Sequence, residues 1–244
     1  MTSSAGLASA YGALLPLQRG GPLVPARPSA EELIARQSRR GRFVKRGGDI
    51  AFSLAVLSLG APIFLVLAAL VKATSRGPVF YVQQRVGRDY RRFGCIKFRT
   101  MRPDADQVLS KILAESPELE AEFINDFKLK DDPRITRIGK FLRRSSLDEL
   151  PQFLNVLRGE MSVVGPRPIV DKELPRYGAR MDEVLAVRPG LTGLWQVSGR
   201  NNLSYLKRVR LDVHYARQRN LFLDLKIIAR TIGVILDPHD RGAY

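Results

Sequence analysis

The sequence predicts an α-rich α+β fold that is anchored to a membrane. Three observations support this. Residues Ile50 to Val71 form an uncharged apolar segment of about 22 residues, long enough to cross a bilayer. Two short stretches between residues 79 and 99 carry the signature of a β-hairpin. Most of the chain beyond residue 103 has the apolar spacing of amphipathic helices.

The composition points to an anionic partner. Forty Lys and Arg residues face 24 Asp and Glu residues, which leaves a net charge of +16 on 244 residues. Nucleic acid, anionic lipid headgroups and phosphorylated substrates are all candidates on charge alone. A single cysteine, Cys95, excludes an internal disulfide, and Cys95 with two histidines cannot build a Cys-rich or His-based zinc site. Any metal is therefore expected to be a hard cation on carboxylates.

The chain divides into four predicted segments. Residues 1–42, rich in Ala, Gly, Pro and Ser, are expected to be a mobile tail without a signal peptide. Residues 43–76 hold the membrane segment, 77–238 a catalytic domain and 239–244 a short C-terminal tail.

The apolar segment has two interpretations that its pattern leaves open. Basic residues flank it on both sides, so the usual excess of positive charge on the cytoplasmic side gives a single span no clear orientation. Pro62 cannot donate a hydrogen bond to the Ser58 carbonyl, which predicts a kink at the centre. Two arms of about 11 residues each reach about mid-bilayer. A re-entrant hairpin and a kinked spanning helix both fit.

The soluble part is predicted to combine one hairpin with a series of helices. Val79–Val82 and Arg92–Arg99 form the hairpin, with a turn at 83–87. Helices are expected at 104–127 with a break near Pro117, and at 135–142, 147–157, 170–186, 203–219 and 222–236, with an extended stretch at 191–197. The last helix is strongly apolar, and it fits a membrane interface as well as a buried core.

The acidic pair Asp148-Glu149 is the strongest candidate for chemistry. It follows Arg143-Arg144 at the predicted start of helix 147–157, where free N–H groups and the helix dipole suit a phosphate. A structural alternative is a capping box between Ser146 and Glu149, and the local pattern by itself favours that alternative.

Basic residues elsewhere shift the balance towards chemistry on a phosphate at a membrane surface. They stand on a predicted strand (Lys97 and Arg99), before a basic helix (Arg134), in a rigid Pro-rich turn (Arg167) and beside a glycine-rich turn (Arg188). No nucleic-acid motif or basic strip with interleaved aromatics is found, so nucleic acid is not an expected partner.

Several motifs in a fixed order resemble one family. They are Lys45-Arg46 with Asp49, Lys97-Phe98-Arg99-Thr100-Met101, Asp132-Pro133-Arg134-Ile135-Thr136, Ser146-Leu147-Asp148-Glu149-Leu150-Pro151-Gln152, Val164-Gly165-Pro166-Arg167-Pro168, Arg188-Pro189-Gly190-Leu191-Thr192-Gly193 and Gln196-Val197-Ser198-Gly199-Arg200-Asn201. Together they resemble the bacterial sugar transferases, monotopic phosphoglycosyl transferases that act on polyprenyl phosphate. The likeness covers about residues 43–237 and fits the short form, without extra N-terminal spanning helices.

The resemblance implies a reaction and its residues. Asp148 would attack the β-phosphate of a UDP-sugar, release UMP and hold the sugar phosphate until undecaprenyl phosphate takes it. Glu149 would accept a proton or support the metal site, and Asp148 would bind Mg²⁺, with Mn²⁺ as the alternative. Phosphate and substrate binding would fall to Lys97, Arg99, Arg134, Arg144, Arg167, Arg188 and Arg200.

The resemblance also implies a setting. It favours the re-entrant hairpin, interfacial helices and a catalytic domain on the cytoplasmic face of the bacterial inner membrane, among anionic lipids. The insert at about 104–128 resembles members that transfer glucose or galactose 1-phosphate in exopolysaccharide or O-antigen synthesis. Downstream glycosyltransferases and a homodimer are compatible with it. The alternative function is an inactive scaffold for polysaccharide enzymes, against which the intact Asp148-Glu149 pair argues.

Overall fold

The computed structural model of the protein describes residues 32, 38–126, 129 and 131–236. Nearly all of the predicted N-terminal tail and the whole predicted C-terminal tail lie outside these residues. The helices are α1 (Arg39–Leu59), α2 (Ala61–Thr74), α3 (Ala105–Glu115), α4 (Pro117–Asp126), α5 (Arg137–Ser145), α6 (Gln152–Arg158), α7 (Leu174–Tyr177), α8 (Met181–Leu185), α9 (Tyr205–Gln218) and α10 (Leu221–Leu236). The strands are β1 (Phe80–Val86), β2 (Arg92–Phe98), β3 (Ser162–Val164) and β4 (Gly190–Thr192).

The predicted α-rich character and the hairpin are confirmed, but the single helix predicted at 170–186 is wrong, because that stretch forms only the short helices α7 and α8 with turns around them. Strands β1 and β2 pair antiparallel, from Phe80 opposite Phe98 to Val86 opposite Arg92. The predicted turn at 83–87 is wrong, because β1 continues to Val86 and the chain reverses at 87–91. Asp89 and Tyr90 there adopt positive φ angles of 55° and 60°. Alternation of apolar and polar residues ends at Val82, but backbone pairing does not depend on it.

A second sheet was not predicted. Strands β3 and β4 run parallel, with Ser162 opposite Gly190 and Val164 opposite Thr192. The predicted extended stretch at 191–197 is therefore wrong beyond Thr192, where the chain turns. A Cβ on Gly190 would collide with the backbone nitrogen of Gly165, so glycine is required where the two segments touch.

The apolar segment forms a bent pair of helices, α1 and α2, which meet at Gly60 at an angle of 64°. The predicted kink is confirmed. Pro62 lies in the first turn of α2, and the exposed Ser58 lies in the last turn of α1. Neither helix alone is long and apolar enough to cross a membrane, but the bent pair together meets both conditions of length and composition. Ser38 caps α1 by accepting from Gly41 N–H at 3.0 Å, so the helix includes the last four residues assigned to the tail.

The helix pair is packed into the rest of the protein. The buried Asp49 carboxylate on α1 accepts hydrogen bonds from the Val163 N–H at 3.1 Å and from the Ser162 hydroxyl at 2.8 Å. Leu67 of α2 is buried in a cluster with Phe98 of β2 and other side chains of this core. The bent pair is therefore packed against both sheets.

Candidate active site

The acidic pair lies in a tight turn between two helices. Helix α5 ends at Ser145, the next residue Ser146 has a left-handed conformation with φ of 58°, and Leu147–Glu149 then form a 3₁₀ turn. Helix α6 begins at Gln152, directly after Pro151. Proline is tolerated at a helix start, because the first N–H groups of a helix have no partner within it. The single helix predicted at 147–157 is thus wrong, and the pair is not in the first turn of a long helix.

Glu149 is held by a salt bridge and not by a capping box. The Ser146 side chain makes no capping hydrogen bond, whereas the Lys97 ammonium donates to the Glu149 carboxylate at 2.7 Å. The predicted capping alternative is therefore wrong. Burial raises the pKa of Glu149, but the positive charges of Lys97 and Arg167 outweigh burial and bring that pKa down to about 2. The Glu149 carboxyl group is therefore ionised at neutral pH.

Asp148 has the opposite electrostatics. The residue is only 8% exposed, and burial, followed by the neighbouring charge of Glu149, raises the pKa of its carboxyl to about 6. Lys97 and Arg143 act against this rise, but each is bonded elsewhere, Lys97 to Glu149 and Arg143 to the Thr100 hydroxyl at 2.9 Å. An ionised Asp148 is consequently a poorly solvated carboxylate, and such a group is a good nucleophile or metal ligand.

A small pocket beside the pair is rich in positive charge. Its charged lining consists of Glu149 with Arg85, Lys97 and Arg167, and Gln152 and Gln196 add amide groups. The Arg85 guanidinium is fixed by hydrogen bonds to the Pro168 carbonyl at 2.9 Å and the Gln83 side chain at 2.7 Å. Three cations around one carboxylate leave the pocket with a net positive charge, which attracts an anionic group such as a phosphate.

Two of the predicted phosphate-binding residues, Lys97 and Arg167, lie beside the pair. Arg99 does not. It bonds to the backbone and hydroxyl oxygens of Ser75 at 2.8 and 2.7 Å and is covered by Gly77, so it fixes the end of the bent pair. Arg134 forms a bidentate ion pair with Asp132 at 2.6 and 2.7 Å. The charges of both residues act on the pKa of Arg143, which in turn acts on Asp148.

The other three predicted arginines are not among the residues that line this pocket in the described part of the protein. Arg144 is exposed on the outer face of α5. Arg188 donates to the Gly159 carbonyl at 2.9 Å, at the opposite end of α6 from the acidic pair. Arg200 lies in a short 3₁₀ turn with φ of 48°, where its N–H donates to the Trp195 carbonyl at 3.3 Å.

Sequence reasoning missed Arg143 and Arg85. Helix α5 buries Gly139 and Leu142, so the helical spacing places Arg143, and not Arg144, on the inward face. That spacing was available in the sequence. Arg85 could not be identified from the hairpin pattern, because its burial depends on the Pro168 carbonyl from a distant segment.

A metal ion would need the substrate to complete its ligand set. Within the described ranges, no group of three or more His, Cys, Asp or Glu side chains could hold a metal. Mg²⁺ commonly binds through one or two carboxylates together with substrate phosphates and water. Asp148, raised in pKa and next to a cationic pocket, fits that kind of site.

The chain is similar to several curated proteins. It is 47% identical over 221 residues to the UDP-galactose-lipid carrier transferase of Erwinia amylovora, a match covering 88% of this chain and 46% of that protein. It is 48% identical over 206 residues to the undecaprenyl-phosphate galactose phosphotransferase of Salmonella typhimurium (84% and 43%). It is 45% identical over 204 residues to the exopolysaccharide production protein ExoY of Sinorhizobium fredii (84% and 89%).

The chain thus spans less than half the length of the first two relatives and about nine-tenths of the third. A family model described as bacterial sugar transferase matches residues 40–238, which include the bent helix pair, both sheets and the acidic pair. This chain belongs to the bacterial sugar transferase family.

Proposed function

We propose that this protein transfers a sugar 1-phosphate, either galactose or glucose 1-phosphate, from a UDP-sugar to undecaprenyl phosphate and releases UMP. The names of two relatives support the donor and the acceptor, since one is named a UDP-galactose-lipid carrier transferase and the other an undecaprenyl-phosphate galactose phosphotransferase. The observation that carries the proposal is the Asp148-Glu149 pair beside a pocket with three cations.

The proposed reaction has two displacements at phosphorus. The Asp148 carboxylate attacks the β-phosphate of the UDP-sugar, an oxygen–phosphorus bond forms, and the bond to UMP breaks. Undecaprenyl phosphate then attacks the same phosphorus, and Asp148 leaves as a free carboxylate. The acceptor is a phosphate monoester with a second pKa of about 6, so it is largely ionised at neutral pH and needs no general base.

Glu149 is assigned an electrostatic role. A carboxyl group with a pKa of about 2 is a poor proton acceptor at neutral pH. The family resemblance implies that Glu149 either accepts a proton or supports the metal site, and the low pKa argues against the first role. The charge of Glu149 holds Lys97 and Arg167 at the pocket, where both can bind the donor diphosphate. These two cations and Arg85 stabilise the charge that builds up as UMP leaves.

Asp148 is proposed as the protein ligand of a Mg²⁺ or Mn²⁺ ion. When bound, this ion offsets the repulsion between the nucleophile and the diphosphate. Because the protein contributes few ligands, we expect excess EDTA to abolish UMP release and Mg²⁺ or Mn²⁺ to restore it. Full turnover in EDTA would contradict the assignment.

The membrane arrangement is part of the proposal. We infer that the bent pair enters and leaves one leaflet, with the residues before α1 and the catalytic domain both on the cytoplasmic face of the inner membrane. Basic flanks on both sides of Ile50–Val71, the 64° bend and the packing of α1 and α2 onto the core all support this arrangement.

The test of the function is Asp148→Asn in a UMP-release assay with undecaprenyl phosphate and a panel of UDP-sugars. Asparagine keeps the size and hydrogen-bonding capacity of the side chain but cannot act as the nucleophile, so release should fall by at least about 10³-fold, in the range seen when catalytic groups are removed. Asp106→Asn, an exposed position on α3, is the matched control and should keep activity. Near-normal release by a folded Asp148→Asn protein would overturn the assignment, and no release by the unaltered protein with any UDP-sugar would favour the scaffold.

A further inference from the structure

Several arginines meet at the far end of α6 from the acidic pair. The Arg46 guanidinium on α1 donates to the Val156 carbonyl at 2.6 Å and to the Leu157 carbonyl at 3.1 Å. Arg188 donates to the Gly159 carbonyl at 2.9 Å. These bonds complete the C-terminal end of α6 and hold two guanidinium groups side by side.

Two more arginines complete a group that we call the arginine cluster: Arg46, Arg88, Arg188 and Arg219. Burial lowers the pKa of Arg188, and the charges of Arg88 and Arg46 lower it further. Burial likewise lowers the pKa of Arg219, and the charge of Arg88 adds to the effect. Arg88, at the turn of the β1–β2 hairpin, thus acts on both Arg188 and Arg219. The Arg219 Nε atom is buried and has no hydrogen-bond partner in the described part of the protein.

The cluster is not neutralised by the carboxylates that act on it. The four arginines, together with Arg42 and Lys45, face three carboxylates, those of Asp49, Asp89 and Asp224, and Asp89 pairs directly with Arg88 at 3.0 Å. Asp49 also accepts from the backbone of β3, and Asp224 is bonded to Lys45 at 2.8 Å and to the Tyr215 hydroxyl at 2.7 Å. The local excess of three positive charges, with a buried donor left unpaired, calls for an anion from outside the chain.

The position of the cluster selects the kind of anion. Arg46 precedes Ile50, the first residue of the apolar segment, by four residues, or about 6 Å of helix. That distance is close to the thickness of one headgroup layer. Arg219 lies just before the apolar helix α10, where Phe222 is 78% exposed. Both arginines therefore lie where apolar surface gives way to charge.

We propose that the arginine cluster binds the phosphate of an anionic phospholipid headgroup, such as phosphatidylglycerol, at a site separate from the active site. This inference rests on the membrane association proposed above. The bound lipid would hold the start of α1, the hairpin turn and the start of α10 at one level of the membrane surface.

The test uses the full chain in neutral detergent and measures retention of phosphatidylglycerol against phosphatidylcholine by native mass spectrometry. The double variant Arg88→Gln, Arg219→Gln removes two cluster charges that bond to no helix end. At about 1 kcal/mol per arginine near a membrane surface, its affinity for phosphatidylglycerol should fall about thirty-fold. The double variant Lys111→Gln, Lys172→Gln, at exposed positions elsewhere, is the matched control and should bind like the unaltered protein.

The outcomes separate the proposals. Arg88→Lys with Arg219→Lys keeps both charges and should retain the lipid, which distinguishes charge from a folding defect. Equal retention of both lipids by the unaltered protein, or undiminished retention by the glutamine variant, overturns the headgroup site. Displacement of the lipid by millimolar inorganic phosphate also overturns it, in favour of a free-phosphate site. UMP release is measured in parallel: its absence alongside selective lipid retention contradicts the transferase and leaves the headgroup site standing.

Discussion

Replacement of Lys97 by methionine should move the pH dependence of the reaction. Lys97 donates to Glu149 at 2.7 Å, with side chains that are 17% and 27% exposed, so the pair is largely shielded from solvent. The positive charge of Lys97 is also the largest of the influences that lower the pKa of Asp148. Methionine keeps the unbranched apolar stem and removes only the charge.

The size of the effect depends on the electrostatics of the turn. A neighbouring opposite charge typically lowers a carboxyl pKa by about 1–3 units, and loss of this charge favours the protonated acid. The pKa of Asp148 should therefore rise from about 6 by about one unit. Because only the carboxylate can attack, the reactive fraction at pH 7 should fall from about nine-tenths to about one half. Loss of a phosphate contact should lower the plateau as well.

The assay is kcat/KM for UMP release between pH 5 and 9, with Mg²⁺ supplied as its complex with the UDP-sugar and not in excess, since this parameter reports ionisations of the free enzyme without metal. The unaltered protein should lose activity as the pH falls through about 6, and the Lys97→Met variant should lose it at higher pH. Lys97→Arg, which keeps the charge, should restore the original limb. An acidic limb that stays in place, or moves to lower pH, in the methionine variant would refute this account of Asp148.

Three further changes test other parts of the structure. Arg143→Gln should reduce UMP release by about ten-fold or more, because the charge of Arg143 favours the ionised form of Asp148. Arg144→Gln, at an exposed position, should have little effect. Equal losses in the two variants would contradict the assignment of Arg143 to the site. Asp148→Asn should raise the melting temperature at pH 7–8, because a carboxyl with its folded pKa raised to about 6 costs up to about 3 kcal/mol when ionised. This gain should vanish as the pH falls below the unfolded pKa of about 4, and a variant that melts lower at pH 8 would count against the burial effect. Pro62→Leu should straighten the bent pair and expose the N-terminal side to an impermeant thiol reagent at the periplasm in some molecules; unchanged accessibility and activity would show that the proline does not set the topology.

Local patterns were sufficient for the elements whose causes are local. The hairpin follows from alternation, the break between α3 and α4 from Pro117, and the kink from Pro62. The parallel sheet could not be predicted in this way. Its strands have three residues each and are held by contacts such as the bond from the Tyr215 hydroxyl to the Val164 carbonyl, 51 residues apart in sequence.

The basic residues show the same limit more sharply. Lys97, Arg99, Arg134 and Arg188 all stand in motifs of the family, yet only Lys97 of these four lies beside the acidic pair. The other three bond to a loop, to a neighbouring aspartate and to a helix end. A motif shows that a residue type matters at a position, but a guanidinium group stabilises a backbone carbonyl as readily as it binds a phosphate.

The two carboxylates of the acidic pair illustrate how adjacent residues acquire different chemistry. Asp148 and Glu149 share one turn, and the negative charge of Glu149 disfavours ionisation of Asp148. The positive charges of Lys97 and Arg167 lower the pKa of Glu149, so Glu149 is ionised. Its negative charge in turn raises the pKa of Asp148. Glu149 holds Lys97 at 2.7 Å beside the pocket, and Asp148, which we propose as the nucleophile, is buried next to it. In the proposed reaction Lys97 would bind the donor diphosphate and also lowers the pKa of Asp148, which is why loss of Lys97 should alter binding and pH dependence together.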